Sequence, residues 1–400
     1  MINIAKKLAN VKPSQTKAIA QIAANLNAQG REVISLSLGE PDYDTPMNII
    51  EAGERAMREG YTRYTSVPGI LPLREAICDK LAKDNNLAYT PDQITVGTGA
   101  KQVLYNALVA TLDKGDEVLI PTPCWVSYPE MVSLAGGTPV FLECRKENSY
   151  LLDPEELEAK ITDRTKWILF NSPNNPSGAV YQEEDLKIIA ELLRRYPHVA
   201  VMSDDVYEKF TYPGTRFATM AEVAPDLADR CLVVNSLSKT YCMTGWRVGY
   251  GAGPAHLIKT MNLVQSQTTS HACSISQVAA MEALNGPQEH IAEFIDDYYR
   301  RIQFTVERIN KIEGLNCSMP SGSFYVFVDC SDLVGKKTPE GETITNDVEL
   351  GMHFMESAGV AVVPGSAFFA PGHFRISCAA SMENLSKGIE RIASSCAELR

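Results

Sequence analysis

The sequence predicts an α/β protein: a large domain on a mainly parallel sheet with helices on both faces, and a smaller α/β domain beside it. Three observations carry this reading. Apolar runs of strand length alternate with amphipathic helical runs between residues 48 and 295, the pattern of a parallel sheet covered on both sides. After a long helical stretch, Ile291–Lys311, the texture changes, and the next apolar runs read as strands of a second, smaller layer. A chain of 400 residues, at roughly 150 per domain, has room for two or three domains and a sizeable core.

In chain order, the segment before Pro46 is too short to fold alone and is expected to join the smaller unit. That unit is then discontinuous, 1–47 with 296–400, around a large domain at 48–295. Strands of the large domain are expected at Ile94–Val96, Glu117–Ile120, Pro139–Glu143, Lys166–Asn171, Val199–Ser203 and Cys231–Asn235. Helices are expected at Gln102–Leu112 and Glu183–Arg195; in the second, Leu186, Ile189, Ala190 and Leu193 share one face. The smaller unit is expected to carry strands at Phe324–Cys330, Val360–Pro364 and Phe374–Cys378.

Composition narrows the partners. Lys plus Arg number 37 and Asp plus Glu 49, a net charge of −12, which argues against nucleic acid or an anionic membrane as a general partner. The ten cysteines are scattered from Cys78 to Cys396 with no C-x-x-C pair, so they read as reduced thiols rather than a zinc site. The N-terminal residues lack the apolar run of a signal peptide, and no stretch approaches a membrane span. A soluble cytoplasmic protein is expected.

Ligands of open parallel sheets sit beyond the carboxyl ends of the strands. Four such ends carry chemistry. Gly97-Thr98-Gly99-Ala100-Lys101-Gln102 joins a strand to a helix, and its glycines and free helix N–H groups suit a phosphate. It is neither a Walker A loop nor a dinucleotide fingerprint, and an ordinary strand-to-helix turn reads equally from it. Asn171-Ser172-Pro173-Asn174-Asn175-Pro176-Ser177-Gly178 is a rigid turn that can aim an amide, or simply a turn. Asp204 follows an apolar strand, where a carboxylate needs a partner, although a helix N-cap would also place it there. The most specific end is Ser236-Leu237-Ser238-Lys239, followed by Gly245-Trp246-Arg247. Two hydroxyls and an arginine suit a phosphate, and a buried lysine amine beside a phosphate is what pyridoxal phosphate (PLP) chemistry requires.

Together these motifs resemble the class I, fold-type I PLP-dependent aminotransferases. The likeness runs from Lys12-Pro13-Ser14 through Leu38-Gly39-Glu40-Pro41-Asp42 and Tyr64 to Phe374-Arg375-Ile376-Ser377. It is similar above all to the prokaryotic-type aspartate aminotransferases, some of which also accept prephenate. The resemblance implies that Lys239 carries the cofactor as an internal aldimine and shuttles the substrate proton. Asp204 would pair with the pyridinium nitrogen, and Asn175 and Tyr207 with the ring's phenolic oxygen. Trp125 would stack on the ring. Gly99, Ala100, Lys101, Ser236, Ser238 and Arg247 would surround the phosphate, with Tyr64 reaching the phosphate of the neighbouring subunit of a homodimer. Arg375 would clamp the substrate α-carboxylate near Gly39.

The resemblance also implies ping-pong transfer of the amino group between amino acids and oxo acids. L-aspartate with 2-oxoglutarate is the expected pair. Lys101 is the candidate for the second carboxylate, and Lys12, Ser14 and Thr16 lie in a segment that resembles the family's mobile lid. Prephenate is a second candidate acceptor. The alternatives are an aromatic or broad-range aminotransferase and a β-lyase on the same fold. A PLP-binding regulatory module is disfavoured by the acidic charge and by the lack of an N-terminal helix-turn-helix.

Overall fold

A computed structural model describes residues 2, 3, 5, 8 and 11–400. In chain order its strands are β1 (Ile34–Ser35), β2 (Ile94–Gly97), β3 (Glu117–Thr122), β4 (Thr138–Glu143), β5 (Thr165–Asn171) and β6 (Ala200–Asp204). They continue as β7 (Cys231–Ser236), β8 (Gly249–Ala252), β9 (Tyr325–Asp329), β10 (Val360–Ala361), β11 (Val363–Pro364) and β12 (His373–Ser377). Seven of them form the central sheet in the order β2-β8-β7-β6-β5-β3-β4. The pairs from β7 through β4 are parallel, and β8 runs antiparallel to both β2 and β7.

Both faces of this sheet are apolar because neighbours along each strand point to opposite sides. Ile168, Val201 and Val233 enter one core, and Leu169, Met202 and Val234 enter the other. The helix Glu183–Arg194 covers the first core with Leu186, Ile189, Ala190 and Leu193, as its spacing requires. Truncating buried Leu193 to Ala should cost about 2–5 kcal/mol.

A separate core lies around the antiparallel sheet β11-β12-β9. It joins Val326, Val328, Phe374 and Ile376 to Leu385 and Ile389 of the helix Met382–Ala397, and also to Ile34 and Leu36 near the N-terminus. The parallel pairing of β1 with β10 fixes the N-terminal segment there. The helix Glu289–Ile309 touches both regions: Ile291 packs in the sheet core and Ile302 and Ile309 in the other. Among the described residues no helix is long and apolar enough to cross a membrane.

Most expected elements lie within one or two residues of their positions, with three differences. The helix after β2 begins at Ala100, so the Gly99-Ala100-Lys101 turn contains its first residues rather than preceding it. The run Val360–Pro364 is two strands, not one: β10 pairs with β1 and β11 with β12. A continuous apolar run does not record where a strand changes partner. Strands β1 and β8 were not expected: β1 is only two residues long, and in β8 Gly249-Tyr250-Gly251-Ala252 has little strand propensity. The β8 glycines serve close packing, because a Cβ on Gly249 would collide with the Ala100 nitrogen and the Gly99 carbonyl carbon.

Candidate active site

The register of the parallel strands sets the site. Asn171 at the end of β5 pairs with Asp204 at the end of β6, and β7 beside them ends at Ser236. Asp204 is therefore the last residue of its strand rather than the first beyond it, and it is 3% exposed. Asn171 donates its amide to the Asp204 carbonyl at 2.9 Å. The Tyr128 hydroxyl donates to Asp204 Oδ2 at 2.5 Å, and Asp204 Oδ1 is buried without a partner. Burial pushes this carboxyl up to about 6, partly offset by the Tyr128 hydrogen bond, a backbone hydrogen bond from Val206 and the Lys239 charge.

Lys239 sits in the one-turn helix Leu237–Thr240 after β7. Its Nζ donates to the Gly39 carbonyl and lies 6.0 Å from the centre of the Tyr207 ring. Burial lowers its pKa to about 8; the Glu40 and Asp204 carboxylates oppose this, and Arg375 and Arg247 reinforce it. Near pH 8 a large fraction of this amine is neutral, as a base or nucleophile must be.

Arg375 enters from β12 and is 2% exposed. Its Nη1 donates to Asn175 Oδ1 at 2.8 Å and its Nη2 to the Ser37 carbonyl at 2.7 Å, while Nε is buried without a partner. The guanidinium lies over the Tyr325 ring at 4.2 Å. Tyr325 shares a 2.9 Å hydroxyl–hydroxyl bond with Tyr207. A buried cation held only by neutral acceptors and aromatic faces is a site for an anion.

A second cluster that suits an anion lies at the start of the helix Ala100–Thr111. Gly99 has φ 81°, and the Arg247 guanidinium occupies the space where a Gly99 Cβ would lie. Arg247 Nη1 donates to the Thr244 carbonyl at 2.8 Å. Strand β8 brings Ser236 to this turn, because Ser236 pairs with Gly249, which packs on Ala100. Ser236 Oγ donates to Ser238 Oγ at 2.8 Å and accepts from the Ser238 N–H at 3.0 Å. Two hydroxyls, an arginine and free helix N–H groups thus converge.

Lys101 points elsewhere. Its Nζ donates to Ser127 Oγ at 3.0 Å and lies 4.5 Å over the Trp125 ring, which meets Tyr128 edge-on at 5.3 Å. Burial and then the Lys17 and Arg247 charges lower its pKa.

The sequence pattern of the family described as aminotransferase class I and II matches residues 31–392. The chain belongs to that family. It is 51% identical over 399 residues to the aspartate/prephenate aminotransferase of Cereibacter sphaeroides, with all of both chains covered. It is 47% identical to the aspartate aminotransferase of Rhizobium meliloti, covering 99% of this chain and 96% of that one. Among solved structures, the aspartate aminotransferase from Rhizobium meliloti superposes with a TM-score of 0.97 at 46% identity, covering both chains fully. The aspartate aminotransferase from Thermus thermophilus with maleate superposes with a TM-score of 0.92 at 40% identity, covering 99% of this chain and 100% of that one.

Four positions expected to serve an aminotransferase site are arranged differently from the rest. Tyr64 stands 90% exposed, its ring edge-on to His271 at 5.7 Å. Lys12 is exposed and is engaged through its backbone N–H, which donates to Glu130 Oε2 at 3.0 Å. Ser14 and Thr16 hydrogen-bond each other at 2.9 Å at the start of the helix Gln15–Ala28.

Sequence reasoning missed Tyr128, Tyr325 and Lys17. Tyr128 lies in the Cys124–Tyr128 stretch beyond β3, where a tyrosine on an apolar helix gives no hint of a carboxylate partner. Tyr325 sits in a strand that reads as pure core. Lys17 follows the Lys12–Thr16 segment by one residue and reads as a solvated charge.

Proposed function

We propose that this aminotransferase is a PLP-dependent transaminase that passes the amino group of L-aspartate to 2-oxoglutarate by a ping-pong mechanism. The reading is carried by one observation: a buried carboxylate oxygen, Asp204 Oδ1, lacks any partner while sharing a site with the Lys239 amine. An orphaned buried acceptor is costly, and a ring N–H would satisfy it. The hydroxyls and cation around Gly99 and Ala100 suit the cofactor's phosphate. The residues present therefore fit PLP.

When bound, PLP supplies an aldehyde that condenses with amines and a protonated ring that accepts electron density. Asp204 would keep that ring nitrogen protonated, with Tyr128 fixing the carboxylate's rotation. Ser236, Ser238, Arg247 and the Gly99-Ala100-Lys101 turn would hold the phosphate. Asn175 and Tyr207 would address the phenolic oxygen, and Trp125 would cover the ring face. Arg375 would bind the substrate α-carboxylate near Gly39, orienting Cα toward Lys239. The Lys239 amine, when neutral, would take the Cα proton and hold it for delivery across the substrate nitrogen, to the carbon that the cofactor's aldehyde supplies. Lys101 would pair with the distal carboxylate, and Lys12, Ser14 and Thr16 would close over it.

The cores support a division into a large domain at 48–295 and a small one formed by 1–47 and 296–400. The exposed Tyr64 supports a homodimer in which each chain completes its partner's phosphate site, and a cytoplasmic location belongs to the same reading. Prephenate is a second acceptor in this reading; it too presents two carboxylates, and the Cereibacter sphaeroides relative carries it in its name.

The test is spectroscopic. Protein loaded with PLP should show a visible band that aspartate bleaches and 2-oxoglutarate restores, and Lys239→Ala should abolish turnover. An unaltered spectrum with aspartate, or wild-type turnover by Lys239→Ala, would overturn the reading.

A further inference from the structure

The segment from Ser37 to Thr45 makes no backbone–backbone hydrogen bond among the described residues, yet it carries the Gly39 carbonyl that receives Lys239 Nζ. Side chains hold it instead. Glu40 Oε2 accepts from the Thr244 hydroxyl at 2.9 Å, and Thr45 Oγ1 donates to the Cys242 carbonyl at 2.7 Å. Thr45 Oγ1 also accepts from Trp246 Nε1 at 3.0 Å, and every one of these bonds involves a neutral group. The tie at Asp42 is of another kind. Arg301, buried on the helix Glu289–Ile309, donates from Nη1 to Asp42 Oδ1 and Oδ2, both at 2.8 Å. The Tyr298 hydroxyl adds a bond to Asp42 Oδ1 at 2.9 Å.

Arg301 is itself fixed. Its Nη2 lies 2.6 Å from Asp297 Oδ2, one turn back on the same helix, and its plane faces the Tyr298 and Tyr43 rings at 5.3 and 5.5 Å. A guanidinium held on several sides loses little freedom when it binds a carboxylate, so it makes a stiff anchor. Gly39 lies three residues from that anchor.

We propose that Asp42 and Arg301 are positioning residues for the reacting amine: their ion pair pins the Gly39–Asp42 loop so that the Gly39 carbonyl and the Glu40 carboxylate stay at Lys239. The inference rests on the reading of Lys239 as the reacting amine. Five groups face that amine: Glu40 on the loop, Asp204 at the end of β6, Arg375 on β12, Arg247 beyond the Lys239 turn, and the Tyr207 ring. Glu40 and the Gly39 carbonyl favour the ammonium, and Arg375 and Arg247 disfavour it. Releasing the loop removes only the first pair, so the amine loses its proton more readily.

The test needs no bound cofactor. Full-length protein stripped of small molecules is treated with cyanate across a pH series, and carbamylation of Lys239 and Lys101 is followed by mass spectrometry. Asp42→Asn should move the Lys239 midpoint down by about half a unit or more and leave Lys101 unmoved. Tyr298→Phe removes both bonds of that hydroxyl to Asp42, the one it donates to Oδ1 and the one it accepts from the Asp42 N–H at 3.3 Å, and leaves the ion pair; it should move the midpoint the same way by less. An unmoved Lys239 midpoint in folded Asp42→Asn overturns the proposal. If Asp42→Asn does not fold, an unmoved midpoint in Tyr298→Phe overturns it. A protein that fails to bind PLP would sink the functional reading and leave this titration standing, so the two failures are separable.

Discussion

The Tyr128 hydroxyl donates to Asp204 Oδ2 at 2.5 Å and leaves Asp204 Oδ1, on the same carboxylate, buried and unpartnered. Half of the group is satisfied by the fold and half is left for something else. Burial is the largest cause of its elevated pKa, about 6 against an ordinary 3.8.

The first prediction follows from that elevation. The folded state binds this proton more tightly than the unfolded chain, so the ionised carboxylate weakens the cofactor-free fold above pH 6. The penalty fades as pH falls through 6 toward 3.8. Asp204→Asn should therefore stabilise the cofactor-free protein at pH 7.5, by up to about 3 kcal/mol, with the gain shrinking below pH 6. The same change should lower PLP-dependent turnover by about 10³-fold or more, because an amide does not hold the ring nitrogen protonated. Urea unfolding at pH 7.5 and pH 5, beside a turnover assay, reads both. A variant that loses stability at pH 7.5 contradicts the assignment.

Tyr128→Phe should act in the opposite sense on stability. It strips the one side-chain donor from Asp204, leaving the carboxylate only its backbone contact with Val206, at a cost of about 1–3 kcal/mol while the carboxylate is ionised. The Asp204 pKa should rise further, since the lost bond favoured the charged form. The destabilisation should thus be larger at pH 7.5 than at pH 5. Equal losses at both pH values would show that Tyr128 matters through packing alone.

How much of this was legible in the sequence depends on what each feature needs. The Lys239 strand end was legible because its polar residues are close in sequence and interrupt an apolar run. The parallel sheet was legible because its strands are apolar on both faces. The Asp204–Tyr128 and Tyr207–Tyr325 pairs were not. Each joins elements 76 or 118 residues apart, and one partner in each carries no local signal. Strand β8 was hidden for a related reason, because its glycines answer to the backbone of Gly99 and Ala100 and not to any strand preference.

Lys101 should separate acidic from aromatic substrates. Lys101 stands over Trp125 with its charge partly desolvated, and the Lys17 charge is the nearest further cause of its lowered pKa. Lys101→Ala should cut kcat/KM for aspartate by about 10²-fold and for phenylalanine by much less, since a buried charge pair contributes a few kcal/mol and a ring makes none. Lys17→Ala removes a charge that lowers the Lys101 pKa, so it should raise that pKa without abolishing turnover. Equal losses on aspartate and phenylalanine in Lys101→Ala would remove the distal-carboxylate role from Lys101.

Tyr64 gives a prediction about the pair of chains. It is 90% exposed, an unusual place for an aromatic ring unless a partner covers it. If each chain lends Tyr64 to its partner's phosphate site, a Tyr64→Ala chain and a Lys239→Ala chain spoil different sites of a mixed dimer. One site then receives both lesions. The other combines an intact Lys239 with an intact Tyr64 and works normally. Random re-association of equal amounts makes half of the dimers mixed, each with one sound site of two, so about a quarter of wild-type turnover should return. Each variant alone should stay far below that level. Mixing that restores nothing, although the chains exchange, would mean that Tyr64 serves its own chain or no site at all.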